Sequence, residues 1–162
     1  MDQSYPVISI ITPTFNRSDE LDHLIESINK QTLDHKYFEM IISDDGSKDD
    51  TEKKIMEWSN VVDFKLKYIK QNNLGPGAAR NHGVKNAIGE FIVFIDSDCE
   101  ASENWLKIIY DSYNNNLFDA FGGPDHSKND FLPIQIAIDY SMTSFLTTGG
   151  MRGHNKNMLA KF

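Results

Sequence analysis

Apolar residues recur along this chain in two rhythms that take turns. Val7 to Ile11 is a short continuous run that closes at Pro13. From Ser18 onward Leu21, Leu24, Ile25 and Ile28 follow the i, i+3, i+4, i+7 spacing of one helix face. The pair is predicted to be a strand and an amphipathic helix, with Ser18 as cap and Asp19 and Glu20 in the positive first turn. Phe38 to Ile42 predicts a second strand. Ser47 is placed to cap the next helix, with Asp49 and Asp50 in its first turn and Ile55, Met56 and Trp58 on its apolar face. Phe64, Leu66, Tyr68 and Ile69 predict a third strand nearer a sheet edge. Asn72 to Gly77 reads as a turn, and Ala78 to Ala87 as a short helix stopped by Gly89 as a C-terminal cap. Phe91 to Ile95 is the most apolar run, aromatic or β-branched throughout, and predicts a central strand buried on both faces. A helix from Ser102 to Tyr113, a strand at Leu117 to Gly123 and a helix at Phe131 to Leu146 follow. Strands alternating with helices imply an α/β fold with a parallel sheet and right-handed crossovers.

With 162 residues and an ordinary apolar fraction, the chain suits one globular domain. A net charge of -8 without a basic stripe argues against a nucleic-acid binder. Cys99 is the single cysteine, so no internal disulfide can form, which fits a reducing, cytoplasmic location. No signal peptide and no apolar run of ~20 residues is present. The chain stops at Phe162 without a closing helix signal, so we expect it to be truncated at its C-terminus.

The chemistry is concentrated where predicted strands end. The loop after the first strand offers Thr12, Pro13, Thr14, Phe15 and Arg17. The second offers Asp44 and Asp45, the third Gly75, Gly77, Arg80 and Asn81, and the fourth Asp96 and Asp98. Carboxyl ends of parallel strands share one edge, where α/β proteins bind ligands. An aromatic beside a carboxylate can stack a base and accept its ring N–H. A glycine-rich turn, a helix start and an arginine favour phosphate. Asp96 and Asp98, two apart at a strand end, point the same way and would repel unless a hard cation, Mg²⁺ or Mn²⁺, lay between them. Together these are the parts of a nucleotide-diphosphate site. Each residue also has a plainer role: Phe15 as a core aromatic, Asp44 and Asp45 as turn and capping residues, Arg80 as a solvated charge. Gly75-Pro76-Gly77 is not a dinucleotide fingerprint, because it follows the third strand and Arg80 stands in place of the last glycine.

Pro13-Thr14-Phe15-Asn16-Arg17, Ser43-Asp44-Asp45-Gly46-Ser47, Gly75 with Ala78-Ala79-Arg80-Asn81-His82-Gly83, and Asp96-Ser97-Asp98 occur in this order. The set resembles the nucleotide-binding half of family 2 glycosyltransferases, over roughly residues 6–125. The resemblance implies a Rossmann-like GT-A fold, with a mostly parallel central sheet and helices on both faces. It implies a single domain over 1–162, with 6–125 the donor-binding half and 126–162 the incomplete start of an acceptor-side region; Gly122, Gly123 and Asp125 fall where the donor-sugar and acceptor region begins. It implies that Pro13, Phe15 and Asp45 hold the base, that Arg17 and Arg80 lie near the nucleotide, that Asp96 faces the ribose and that Asp98, with Asp96, takes Mn²⁺ or Mg²⁺. The implied activity, in polysaccharide biosynthesis, is inverting, metal-dependent sugar transfer from a nucleotide-diphosphate sugar, expected to be a UDP-sugar. The acceptor would be a hydroxyl of a glycan or of a lipid-linked glycan. A place at the cytoplasmic membrane face would then come through residues outside this chain. The family's catalytic base is a carboxylate on a later helix. Asp139 falls too early for it, so the base is expected beyond Phe162. A sugar-nucleotide pyrophosphorylase is the alternative within the same chemistry, though its glycine-rich first loop is missing. A non-catalytic nucleotide-binding domain is the alternative outside it.

Overall fold

The computed structural model describes residues 6–115. In chain order these form β1 (Ile8–Thr14), α1 (Ser18–Asn29), a 3-10 turn (His35–Tyr37), β2 (Phe38–Asp44), α2 (Thr51–Ser59), β3 (Lys65–Lys70), α3 (Pro76–Asn86), β4 (Phe91–Phe94) and α4 (Trp105–Asn114). The chain divides into two units, Met1–Asp111 and Ser112–Phe162. The first is treated below, and the second supplies only the end of α4 to the described residues. The expected strand at Leu117 to Gly123, the helix at Phe131 to Leu146, and Gly122, Gly123 and Asp125 lie outside the described residues.

The four strands form one sheet in the order β3-β2-β1-β4, and every pairing is parallel. Right-handed crossovers explain where the helices go. The chain steps from β1 to β2 to β3 in one direction, which puts α1 and α2 on one face. It then returns across the sheet to β4, which puts α3 on the other. On that second face Ser43 Oγ donates to the Ala79 carbonyl (2.7 Å) and Gly83 lies against Ile11. The residues of β1 and β2 are buried throughout, and Leu21, Leu24, Ile25 and Ile28 of α1 are fully buried with them. Burial of a side chain of this size contributes about 1.5–3 kcal/mol.

Pro13 is the one residue of β1 that cannot donate to a ladder. Alternate residues of a parallel strand bond to opposite neighbours. Ile11 O accepts from Ile95 N (3.2 Å) on the β4 side, and Thr14 O accepts from Asp45 N (2.8 Å) on the β2 side. Pro13 therefore faces the β4 side, beyond the last β4 pairing, where no N–H is required.

Several local expectations differ. β4 is the outermost described strand on its side rather than a central one. It is half-buried, with Phe94 48% exposed, because its outer edge has no lateral neighbour among the described residues. β3 is at the edge, as expected. Ser18 is already helical and caps nothing. Its N–H is instead satisfied from another loop, by Asp49 Oδ2 (3.0 Å). Ser47 does not cap α2 either. Asp49 Oδ1 accepts from Thr51 N–H (3.2 Å) and Oγ–H (2.6 Å) at that helix start. Gly89 is not a helix cap, since α3 ends at Asn86. It is required by close approach: a Cβ there would stand 2.7 Å from Ser9 N and 2.8 Å from the Ile8 carbonyl carbon. The buried Glu39 holds this join, accepting from Ser9 Oγ (2.7 Å) and Ile88 N (2.8 Å).

Candidate functional site

Crossovers leave β1 toward β2 on one face and reach β4 from the other. The carboxyl ends of β1 and β4 therefore flank the point where the topology reverses, the usual position of a ligand crevice in an open α/β sheet. All four predicted loops lie along this edge.

The loop after β1 is stitched to the loop after β2. Asn16, with φ at 53°, donates from its N–H to Ser47 Oγ (2.8 Å), and its Oδ1 accepts from Lys48 N–H (2.8 Å). Ser47 in turn donates from Oγ and N to Asp44 Oδ1 (2.5 and 2.9 Å). Asp44, fully buried, also accepts at Oδ2 from the Tyr68 hydroxyl (2.6 Å), with Lys70 Nζ at 3.6 Å. Burial, and then the bond to Asp44, raise the Tyr68 phenol far above its ordinary value. The result is a rigid base that holds Phe15 outward, 42% exposed.

Asp45 ties the second loop to the third. Its Oδ1 accepts from Gln71 Nε2 and Leu74 N–H, and its Oδ2 from Gly75 N–H, each at 2.8 Å. Burial alone would raise its carboxyl. The backbone donors and Gln71 outweigh that and hold it below the ordinary carboxylate range. A carboxylate has about four acceptor positions, so one remains at Oδ2. Gly46 follows with φ at 88°, and a Cβ there would stand 3.1 Å from Gln71 O and 3.2 Å from Asn73 N. Only glycine combines that backbone with so close a contact.

Asp96 and Asp98 do not stand on a strand end. β4 stops at Phe94, and Cys99 N–H donates to Asp96 O (3.1 Å), closing a tight turn. The alternation of an extended strand therefore does not govern where these carboxylates point. Each meets an arginine from a different element, Asp96 from α3 and Asp98 from the loop after β1. Arg80 Nη2 lies 2.6 Å from Asp96 Oδ1, and Arg17 Nη1 lies 3.3 Å from Asp98 Oδ2. Arg17 also binds Glu20 Oε2 (2.8 Å), which, ahead of Asp98 and Asp96, raises the guanidinium above its ordinary value. The Arg17–Asp98 pair spans the loop after β1 and the turn after β4. The structure thus joins Arg17, Arg80, Asp96 and Asp98 in one charged cluster, whereas Pro13 is buried in β1 and Asp45 is engaged by the 71–75 loop.

Among the described residues no three His, Cys, Asp or Glu side chains group as a metal cage. The donor set still suits a hard divalent ion, which is commonly held by one or two carboxylates together with substrate phosphates and water. The cross-loop bonds of Asn16, Ser47, Asp49 and Gln71 escaped the sequence reading because these partners are about 30 residues away, and no local signal marks the pairings. Thr12 and Thr14, at the carboxyl end of β1, have buried hydroxyls without a hydrogen-bond partner among the described residues. Their signal was a polar residue at alternate positions of a buried strand.

Residues 9–159 match the family model described as Glycosyl transferase family 2. The chain belongs to that family. Among its relatives in family 2, a GalNAc(5)-diNAcBac-PP-undecaprenol beta-1,3-glucosyltransferase of Campylobacter jejuni is 38% identical over 119 residues, covering 72% of this chain and 38% of the relative. The poly(ribitol-phosphate) beta-N-acetylglucosaminyltransferase TarS of Staphylococcus aureus is 35% identical over 99 residues, covering 61% of this chain and 17% of TarS. The family 2 chain thus spans well under half the length of these curated relatives. The structure of TarS 1-349 in complex with UDP-GlcNAc superposes with a TM-score of 0.62 at 28% identity, over 76% of this chain and 38% of that one. A mannosyltransferase of Pyrobaculum calidifontis in complex with GDP-Man and Mn²⁺ shares the fold, with a TM-score of 0.56 at 24% identity over 60% of this chain and 29% of that one. The GT-A fold implied by the sequence is the fold of this protein. No described helix is long and apolar enough to cross a membrane.

Proposed function

We propose that this chain holds the donor nucleotide of a glycosyltransferase that takes a sugar from UDP-sugar to the hydroxyl of a glycan or lipid-linked acceptor, with inversion. The observation that carries the reading is the cluster at the switch point, where Asp96, Asp98, Arg17 and Arg80 meet, on the sheet edge that also carries Asp45 and the exposed Phe15. TarS, whose structure was solved with UDP-GlcNAc, supports UDP as the nucleotide. Phe15 stacks the base, Pro13 fixes the loop that carries it, and Asp45 accepts the ring N–H at its remaining position. Asp45 is suited to this because its three donors keep it ionised and hold it still. Asp96 receives the ribose, and the guanidiniums of Arg17 and Arg80 bind diphosphate oxygens, as planar donors do well. Asp98, with Asp96, would hold Mn²⁺ or Mg²⁺, which supplies charge neutralisation for the departing diphosphate. The acceptor proton goes to a general base as the hydroxyl attacks. None of the described residues is assigned that role.

Isothermal titration of UDP, GDP and uridine into the protein, with and without Mn²⁺, tests the reading. Saturable UDP binding that weakens in Asp45→Ala, for uridine as well, is expected. A folded protein that binds no nucleoside diphosphate under either condition overturns it. Binding of UDP with no transfer to any acceptor would leave a nucleotide-binding domain without the activity.

A further inference from the structure

Resting on the donor-site reading above, we infer that Arg17 and Arg80 are exchange cations. In the free protein they neutralise Asp98 and Asp96, and on ligand binding they pass to the diphosphate as the divalent ion takes the carboxylates. Metal and nucleotide therefore bind as a coupled pair, and metal alone must compete with an arginine for each carboxylate.

Charge on this small turn carries the inference. The Asp96–Cys99 turn brings two carboxylates within three residues, and both are already paired, one to Arg17 of the loop after β1 and one to Arg80 of α3. The turn's two negative charges meet two positive ones, of which Arg17 is shared with Glu20. A divalent ion arriving alone would find its ligands neutralised and two guanidiniums beside them. A diphosphate arriving alone would find the guanidiniums engaged and two carboxylates facing it. When both arrive, the metal neutralises the carboxylates and the diphosphate accepts the arginines, so every charge keeps a partner.

The pairs are also easily exchanged. Their side chains are 35–59% exposed, and exposed ion pairs hold by about 0.2–1 kcal/mol. The two arginines are not equivalent. Arg17 stays tethered to Glu20 when it leaves Asp98, so it turns in place. Arg80, in α3, has Asp96 as its one ion-pair partner among the described residues, so it can swing once that contact breaks. Asp45 takes no part, since its oxygens serve the 71–75 loop.

Mn²⁺ titrations followed by electron paramagnetic resonance, with and without UDP, test this on wild type, Arg17→Gln, Arg80→Gln and the matching lysine variants. In the wild type, UDP should raise Mn²⁺ affinity by roughly tenfold or more, and Mn²⁺ should raise UDP affinity by the same factor. Without UDP, each glutamine variant should bind Mn²⁺ about two- to fivefold more tightly than wild type, because a competing cation has gone. The lysine variants, which keep the charge, should stay near wild type. If the glutamine variants bind Mn²⁺ alone no better than wild type, the exchange is wrong. If wild type binds Mn²⁺ and UDP independently, the exchange is wrong while the donor site stands. If UDP does not bind at all, the donor-site reading fails, and the exchange falls with it.

Discussion

Replacing Asp45 by asparagine keeps its volume and removes its charge. In the native protein its carboxylate, 4% exposed, accepts from Gln71 Nε2, Leu74 N–H and Gly75 N–H, each at 2.8 Å. An amide has one acceptor atom, so at least one of the three donors would face an NH₂ group, and the bonds that remain would lose the charge. A hydrogen bond to a charged acceptor is worth about 1.5–3 kcal/mol, so Asp45→Asn should cost about 2–3 kcal/mol at pH 7 once water takes up part of the loss. The sign of the pH dependence follows from the shift. Burial pushes the Asp45 carboxyl up, its donors more than reverse this, and the net folded-state value is depressed. Such a group contributes stability above its unfolded pKa of about 3.9, and the contribution is lost as pH falls through the lower folded value. The gap between wild type and Asp45→Asn should therefore be full at pH 7 and shrink only below about pH 4. Urea denaturation across that range measures it, and amide exchange at Leu74 and Gly75 should speed up in the variant. A gap at pH 7 below about 0.5 kcal/mol, or one unchanged down to pH 2, would refute the claim that this carboxylate holds the 71–75 loop.

Gly89→Ala should destabilise by about 1–3 kcal/mol in denaturant melts, because its Cβ meets the β1 backbone, which cannot yield as a side-chain tip can. Tyr68→Phe should cost about 1–2 kcal/mol through the bond lost by buried Asp44. Spectrophotometric titration should show the Tyr68 phenol keeping its proton above the ordinary pKa of about 10. Its contribution is present below that value and fades at higher pH. Asp98→Asn should leave the free protein within about 0.5 kcal/mol of wild type in urea melts, because its partner Arg17 keeps Glu20, while calorimetry should show the metal-dependent gain in UDP affinity falling away.

The strands and helices were legible in the sequence because each depends on which face a residue can bury. The apolar runs at Val7 and Phe38 became buried strands, the period of Leu21 to Ile28 became the inner face of α1, and the mixed run at Phe64 to Ile69 became an edge. The parallel order followed from alternation and chirality, which also assign the chemistry-bearing loops to one edge. Tertiary structure decided how those loops hold one another. Ser18 and Ser47 look like caps by local rules, yet the Ser18 N–H is satisfied by Asp49 and Ser47 bridges Asn16 to Asp44, because partners brought close by the fold compete with those nearby in sequence. Gly89 looks like a helix stop and is instead a close approach to β1, which no pattern within α3 could signal. Asp96 and Asp98 were legible as paired carboxylates, but the sequence does not show that a turn carries them or that each has an arginine. Periodicity records burial, which is a property of single positions. Hydrogen bonds and ion pairs between loops belong to pairs of positions far apart in the chain, and only the folded sheet brings those pairs together.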